Sequence, residues 1–351
     1  MTDRENLLRT IRFEKPERTP MSFRVSNGCW YHYEQSALED LMSAHPLLFP
    51  GFEPHAGSHR PELPAWQRAG EAYTDPWGCV WETAQDGITG AVKVHPLADW
   101  ADFESYVPPD PAISWGWGRR DWEAHARNMA ARKARGAAAR DGLRHGHTYL
   151  TLTYIRGYES LTFDMVDGEP RLWKLIEMVE SFNLSNVRNL LDAGVEIMGY
   201  PEDLGMQVGP MISPQHFAKY IKPSYERLMA PARKAGVLIH MHSDGDIRDL
   251  ADMLIEGGVQ SLNLQDLVNG IDWIAERLKG RICIDLDVDR QKVTRYGTPQ
   301  EVDALIRREV ETLGSPEGGL SMVFGMYPGM PLENAAALMD AMERYSTHWS
   351  G

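Results

Sequence analysis

Cysteine is scarce in this chain, and long apolar runs are missing from it. Its 351 residues include three cysteines, Cys29, Cys79 and Cys283, which lie far apart and form no CxxC pair. This pattern argues against a disulfide scaffold and against a zinc site built from cysteines alone. No stretch approaches the roughly 18 uncharged apolar residues of a membrane span, and residues 1–6 lack the apolar core of a signal peptide. We therefore expect neither a membrane span nor a secretory leader.

Positive charge is also in the minority. The formal net charge is −14, whereas a nucleic-acid partner requires clustered Lys and Arg, so nucleic acid is not expected as the main partner. The basic run in 121–141 is more typical of a solvated helix face than of a binding patch. A hydrophobic content of 43 % is ordinary for a globular protein with a large core. These features fit a cytoplasmic enzyme that acts on a small molecule.

Strand-like and helix-like segments alternate from about residue 147 onward. Seven strands are predicted, at 18–25, 148–153, 195–199, around His240, and at 261–265, 281–289 and 320–324. Helices are predicted at 3–13, 37–44, 121–141, 170–192, 213–235 and 247–255, and after Thr298 and Pro331. Such alternation predicts a parallel sheet, and the absence of GxGxxG and Walker motifs disfavours a doubly wound one. We predict a single (β/α)8 TIM barrel over 1–351, with an eighth strand within 40–100 and an insertion-rich lid at 27–120.

The most informative strand end is VLIHMHSD, residues 237–244. Side chains alternate along a strand, so His240, His242 and Asp244 are expected to share one face. Two imidazoles and a carboxylate at the C-terminal end of a strand can bind a metal or transfer protons. Taken singly, a histidine here is as well explained as a buried core residue, and Asp244 as the cap of the next helix. We favour a functional cluster because neighbouring strands also end in polar residues.

Catalytic residues of a barrel lie at the C-terminal ends of its strands. The remaining ends present the following side chains: Tyr154, Arg156, Glu202, Asp203, Gln265, Asp266, Asp285, Asp287, Asp289, Met326 and Tyr327. Buried carboxylates must be paired, protonated or metal-bound. Asp285, Asp287 and Asp289 share a face by alternation and would repel one another without a cation. At least one of them is therefore expected to cap a helix or to face outward.

Several segments, in this order, resemble the uroporphyrinogen decarboxylase-like superfamily over nearly the whole chain. They are residues 1–20, DPWG (75–78), ISP (212–214) with Pro223, HSDGDI (242–247), VDRQ (288–291), GTPQEV (297–302) and PLEN (331–334). The resemblance implies a (β/α)8 barrel and is compatible with a homodimer. The superfamily contains uroporphyrinogen decarboxylases, which need no cofactor, and zinc-dependent methyltransferases that exchange methyl groups with corrinoid proteins or coenzyme M.

Two departures from the superfamily patterns separate these branches. The decarboxylases carry an MRQAGR-type motif, but the matching residues 21–28, MSFRVSNG, retain Arg24 alone, too few cations for a polycarboxylate tetrapyrrole. The methyltransferases carry His-x-Cys before a glycine and a later cysteine. Here Asp244 stands in place of the first cysteine, and FGMY (324–327) has no second one. The remaining oxygen and nitrogen donors, His242, Asp244 and either Glu202 or His240, form a harder set that we expect to hold zinc.

Three functions remain open from the sequence. The first is a metal-assisted methyltransferase or O-demethylase that transfers a methyl group from a small compound to a corrinoid protein. The second is a cofactor-independent decarboxylase of a small carboxylic acid, and the third is a non-catalytic ligand-binding barrel. The predicted catalytic residues are Glu202, Asp203, Asp75 and Tyr154. The predicted substrate-binding residues are Arg24, Arg156, Asp287 and Tyr327.

Overall fold

A curled parallel sheet forms the centre of the computed structural model, which describes residues 1–349. Its seven strands are β1 Met21–Val25, β2 Arg140–Gly142, β3 Ile197–Asp203, β4 Leu238–Asp244, β5 Ser261–Gln265, β6 Cys283–Asp287 and β7 Leu320–Met326. They are hydrogen-bonded in the order β1-β7-β6-β5-β4-β3-β2, and every pairing is parallel. The predicted α/β class is therefore confirmed. The predicted closed eight-stranded barrel is not, because within residues 1–349 no strand joins the edges of β1 and β2.

Helices cover the outer face of this sheet. The longer ones are α1 Asp3–Arg12, α2 Gln35–Ala44, α3 Trp122–Ala134, α4 Tyr149–Arg156, α5 Tyr158–Asp167, α6 Pro170–Asp192, α7 Lys222–Lys234, α8 Ala251–Gly257, α9 Ile271–Arg277, α10 Pro299–Leu313 and α11 Leu332–Tyr345. Short helical turns are Cys29–His32, Ala65–Gln67, Trp100–Ser105, Pro214–His216, Phe217–Ile221, Asp266–Asn269 and Val293–Tyr296. Thr298 caps α10 through the predicted capping box. No helix of the described chain is both long enough and apolar enough to cross a membrane.

The two faces of the sheet differ in polarity. On the outer face, Phe23 of β1 packs against Phe324 of β7, with ring centroids 5.1 Å apart, and joins the main apolar core. The inner face is polar, since the strand register aligns His242 with Asn263 and Asn263 with Asp285. Strands buried on both faces are usually apolar throughout. The polar inner face therefore marks the interior of the half-barrel as the place for a functional site.

Helix α1 closes the N-terminal end of this interior. Thr2 caps the helix by accepting a hydrogen bond from the backbone N–H of Glu5 at 3.2 Å. A small separate core gathers beneath the strands: Leu8, Ile11, Ala138, Ile197, Leu238 and Cys283. Because this apolar plug blocks the lower end, the interior opens at the C-terminal ends of the strands.

The region 27–120 contains an antiparallel sheet of Tyr73–Thr74, Val80–Glu82 and Ala91–Val94. Its buried tryptophans join the main core: Trp77, Trp81, Trp100 and Trp117. Most tryptophans of the region predicted to form a lid are thus packed inside the protein.

The predicted strand at 148–153 was wrong, because this segment is helix α4. The run of Tyr, Leu, Thr and Ile has strand-like composition, and burial on nearly every side removes the amphipathic periodicity of a helix. The actual strand, β2, is the polar triplet Arg140–Gly142. Two other predicted helices have different bounds: α3 ends at Ala134 instead of residue 141, and α8 spans Ala251–Gly257 instead of 247–255.

Candidate active site

Two histidines and a carboxylate meet at the C-terminal mouth of the half-barrel. Nε2 of His242 lies 3.5 Å from Oδ1 of Asp203, and Nε2 of His145 lies 3.2 Å from the same oxygen. These residues come from β4, β3 and the loop after β2, respectively. Nδ1 of His242 lies 2.5 Å from Oδ1 of Asn263, a contact that fixes the ring and directs Nε2 into the mouth. We call His145, Asp203 and His242 the mouth triad; one ligand atom of each lies within 4.8 Å of the others.

A second set of possible ligands, Asp244 and Asp287, shares His242. Here a cation is already present, because Nη2 of Arg290 lies 3.1 Å from Oδ1 of Asp244 and 2.9 Å from Oδ2 of Asp287. Oδ1 of Asp287 is buried and receives no hydrogen bond from the described residues. The second set is therefore held by Arg290, whereas no arginine or lysine of the described residues forms an ion pair with the mouth triad.

The charges at the mouth shift the protonation of its members. Burial would lower the pKa of His242, but its pairing with Asp203 and the charges of Asp244 and Asp287 raise this pKa to about 9. Burial opposes ionisation of Asp203, yet His145 and His242 hold its pKa well below the usual range. Burial raises the pKa of Asp287 to about 7, against the charges of Arg290 and His242. Asp287 can thus hold or release a proton near neutral pH.

One layer below the mouth lies a second polar group. Nε2 of His240 is 2.7 Å from Oδ2 of Asp285 and 2.7 Å from Nη2 of Arg140, while Ser321 donates to Oδ1 of Asp285 at 2.7 Å. Burial and the charge of Arg140 lower the pKa of His240 to about 4, so the ring is neutral at pH 7. A neutral ring nitrogen either accepts from Arg140 or donates to Asp285, but not both. His240 is therefore engaged in this lower layer and not in either ligand set.

Glu202 lies on the opposite face of β3 from Asp203, so the structure does not bring it to the mouth. Its carboxylate is fully buried and accepts hydrogen bonds from the backbone N–H groups of Thr148 and Tyr149, at 2.7 and 2.9 Å, and from the hydroxyl of Tyr225 at 3.0 Å. Glu202 thus stabilises the N-terminus of α4. Its predicted roles as a metal ligand and a general acid do not fit this position.

Arg156 is likewise withdrawn from the site. It pairs with Asp164 at 2.7 Å and donates to the carbonyl oxygens of Leu97 and Ala98, and it stacks on Trp100. The guanidinium has no free edge for a substrate. Its role is to join α4 and α5 to the preceding loop.

Asp75 is buried in a pair with Arg144, with Oδ2 and Nη1 3.3 Å apart. Its carboxylate also accepts hydrogen bonds from the backbone of Trp77 and from the indole of Trp81. The Arg144 guanidinium lies over the ring of Trp117. Since both charged side chains are almost completely buried, the pair positions the 27–120 region rather than meeting a substrate directly.

The other predicted residues lie around the interior. Tyr154 packs edge-on against Trp81, with centroids 4.7 Å apart, and burial raises the pKa of its hydroxyl above the usual value. Tyr327, 47 % exposed, lies at the rim with the Arg290 guanidinium 5.7 Å from its ring centroid. Arg24 is exposed on β1, and the register aligns it with Gly325 of β7. Asp289 caps the loop beyond β6 by accepting from the backbone N–H groups of Lys292 and Val293, as expected for at least one acid of that run.

Sequence reasoning missed several residues that the structure brings to the interior: Arg140, His145 and Arg290. Arg290 directly follows the acid run, and that adjacency could have signalled its pairing. Arg140 and His145 follow no strand-like pattern, because β2 is too short and too polar to be identified.

The family model for uroporphyrinogen decarboxylase (URO-D) matches residues 82–345. The chain belongs to this family. Over 182 residues it is 29 % identical to the uroporphyrinogen decarboxylase of Thermus thermophilus, covering 50 % of each chain. It is 24 % identical over 162 residues to the human enzyme, covering 44 % of this chain and 42 % of that one. The chain thus spans about half the length of the curated relatives it matches.

A solved methyltransferase from Methanosarcina mazei has a similar fold along its whole length. The TM-score is 0.67 at 13 % identity, and the match covers 98 % of this chain and 99 % of the other. This likeness shows that the two chains share an overall fold. Within that URO-D fold, this chain has no cysteine in either ligand set of the described residues, and all three of its cysteines are buried.

Proposed function

We propose that this chain binds a divalent metal ion, best zinc, at the mouth triad and catalyses methyl transfer from a small methylated molecule. The observation that carries the proposal is the meeting of His145, Asp203 and His242, with ligand atoms within 4.8 Å of one another. Two imidazoles and a carboxylate are a frequent donor set of catalytic metal sites, which keep further positions open for substrate. Asp244 lies close to this set but is occupied by Arg290.

The donor set fits a hard or borderline cation. The proposed ligands are partly exposed at the mouth, and the fully buried Glu202 is not among them. The two histidines can supply neutral nitrogen donors once the proton of His242 is displaced, so binding is expected to strengthen as the pH rises. A bound zinc would serve as a Lewis acid toward the oxygen or nitrogen that carries the methyl group.

Side chains near His242 would assist at the oxygen or nitrogen that carries the methyl group. Asp287 holds a proton near neutral pH beside His242 and would deliver it to the leaving oxygen or nitrogen. Arg290 keeps Asp244 and Asp287 in place. Tyr154, which is half-buried and held edge-on against the buried Trp81, would offer an aromatic ring to a methoxylated aromatic or a methylamine.

The methyl acceptor in this proposal is a corrinoid carried by a separate protein that docks over the mouth. Exposed apolar side chains that follow β3 and β7 are consistent with this docking: Met206, Val208 and Tyr327. The full-length similarity of fold to a methyltransferase supports methyl transfer as the reaction. The sequence match to a uroporphyrinogen decarboxylase, which covers 50 % of this chain, supports the second candidate described below.

The second candidate is cofactor-independent decarboxylation, favoured by the contact between Asp287 and Arg290. Arg290 would bind a carboxylate of the substrate. The bond to a departing carboxylate would break, carbon dioxide would leave, and the electron pair left on carbon would take the proton of Asp287. This route uses the same residues without a metal.

One pair of assays separates the two candidates. The metal-depleted protein would be incubated with methoxylated aromatics and methylamines plus a reduced corrinoid, with and without added zinc. Loss of the substrate methyl group that requires zinc and disappears in His242→Ala supports methyl transfer. Release of carbon dioxide from a carboxylic acid, unaffected by a chelator, would reject it and favour decarboxylation.

A further inference from the structure

A second opening lies along the side of the half-barrel, between the unpaired edges of β1 and β2. A cavity of about 340 Å³ fills this seam, and we call it the seam cavity. Its charged lining residues are Arg18, Arg24, Arg132, Arg140, Asp3, Asp285 and Glu343. No member of the mouth triad lines it. The seam cavity is therefore a separate space from the proposed metal site.

The acids of the seam cavity already have partners. Asp3 pairs with Arg18 at 2.5 Å, and Glu343 accepts a hydrogen bond from the backbone N–H of Leu47 at 2.9 Å. Asp285 accepts from Ser321 at 2.7 Å and lies 2.7 Å from Nε2 of His240, as described above. Four arginines face these three carboxylates, so the lining retains one positive charge that no carboxylate of the cavity neutralises.

The arginines, in contrast, retain free donors. Arg24 is exposed and has no acidic partner among residues 1–349. Arg132 uses Nε to donate to the carbonyl oxygen of Ala138, at 3.1 Å, and keeps its terminal nitrogens. Nη2 of Arg140 lies near His240 and 3.6 Å from Asp285, which leaves its Nη1 unused. In a chain of net charge −14, this local excess of donors indicates attraction for an anion.

We propose that the seam cavity binds a small free oxyanion, a carboxylate or a phosphate, between Arg24 and Arg140. The planar guanidinium presents paired N–H groups that match either oxyanion. The hydroxyl of Ser22 lines the same space and adds a neutral hydrogen-bonding group. The volume lies at the lower end of the range for small-molecule sites, so the ligand is a metabolite-sized ion.

The position of Arg140 connects this site to the interior of the half-barrel. An anion in the seam cavity would attract the guanidinium of Arg140 away from His240. Nε2 of His240, which either accepts from Arg140 or donates to Asp285, would then donate to Asp285. The seam ligand thus orders the lower polar layer beneath the mouth. This inference requires neither the metal nor the methyl-transfer activity.

Titration calorimetry of the whole chain with sodium phosphate and, separately, sodium succinate at constant ionic strength tests the proposal. We expect saturable one-site binding of at least one probe. The affinity for the probe should fall about tenfold in Arg24→Gln and in Arg140→Gln, because each substitution removes a charged hydrogen-bond donor. Arg308→Gln is the matched control, because that exposed arginine pairs with Asp272 at 3.0 Å, away from the seam. Its binding should equal that of the unmodified chain.

The contradicting outcomes are equally specific. Absence of saturable binding for both probes would overturn the proposal, as would undiminished binding in Arg24→Gln. Binding lost in Arg290→Gln but kept in Arg24→Gln would place the anion at the mouth and also overturn it. Thermal unfolding of each variant without probe checks the fold. If Arg140→Gln is destabilised, the exposed Arg24 decides the result alone.

Discussion

Nη2 of Arg290 lies 2.9 Å from Oδ2 of Asp287, which is buried beside His242. This ion pair explains why two overlapping sets of metal-binding residues are not equivalent. The carboxylates of Asp203, Asp244 and Asp287 surround His242 and would repel one another. Arg290 pairs with Asp244 and Asp287, so it reduces the repulsion at these two carboxylates only. The mouth triad on the other side has no arginine partner among the described residues, so in this account an external cation binds there by displacing the proton of His242.

Replacing Arg290 should strengthen metal binding. Arg290→Met removes a positive charge next to the proposed ligands and frees Asp244, so zinc affinity is expected to rise about tenfold, or about 1.4 kcal/mol. Competition with a chromophoric chelator measures the change. Arg307→Met is the control, because that exposed arginine pairs with Glu311 on α10. Equal or weaker zinc binding in Arg290→Met would show that Arg290 does not compete with the metal.

The role of Glu202 can be tested independently of activity. Glu202→Gln keeps the shape but turns one acceptor oxygen into an NH₂ group facing the backbone donors of α4. We expect a loss of about 1–3 kcal/mol in unfolding free energy, with zinc content unchanged. Urea unfolding and elemental analysis of the same preparation provide both values. Loss of zinc in a variant of normal stability would restore Glu202 as a ligand.

The buried pair of Asp75 and Arg144 predicts strong coupling in stability. Asp75→Asn leaves the Arg144 charge without its partner and should cost about 3–5 kcal/mol. Adding Arg144→Met should cost little more. The loss of unfolding free energy in the double variant is therefore expected to be far smaller than the sum of the losses in the two single variants. Urea denaturation of all four proteins measures the cycle. Additive losses would mean that the two residues do not act as a pair.

Glu309 predicts a pH dependence of stability. Its side chain is fully buried, and neither carboxyl oxygen accepts a hydrogen bond from the described residues. Burial and the charge of Asp266 raise the pKa of Glu309 well above the usual value. The folded state thus retains a proton that the unfolded state has lost. Its stabilisation is complete below the ordinary pKa of a glutamate and declines as the pH rises toward the folded pKa.

The decline should be about 1.4 kcal/mol per pH unit for this one group. Glu309→Gln, which carries the hydrogen permanently, should reduce the slope by that amount at pH values between the ordinary pKa of a glutamate, about 4.3, and the raised pKa of the folded state. Urea unfolding across this range compares the two proteins. Parallel slopes would mean that Glu309 is ionised in the folded chain.

The sequence allowed the polar face of β4 to be predicted, because alternation alone aligns His240, His242 and Asp244. It also indicated that one acid of 285–289 would serve as a cap, as Asp289 does. It did not reveal which acids face inward from β3, since Glu202 and Asp203 are adjacent and a shift of one residue exchanges them. Helix α4 was missed because a carboxylate distant in sequence, Glu202, stabilises its start. Contacts of that kind leave no local pattern.

The zinc content of the protein, purified with zinc present and measured by elemental mass spectrometry, tests the central claim most directly. The account predicts near-stoichiometric zinc, retained in His348→Ala, whose imidazole is exposed and remote from the mouth triad, and lost in both His242→Ala and His145→Ala. Zinc lost in His242→Ala but kept in His145→Ala would move the ion to the set that contains Asp287. No zinc in the unmodified chain, or equal zinc in His242→Ala, would contradict the account.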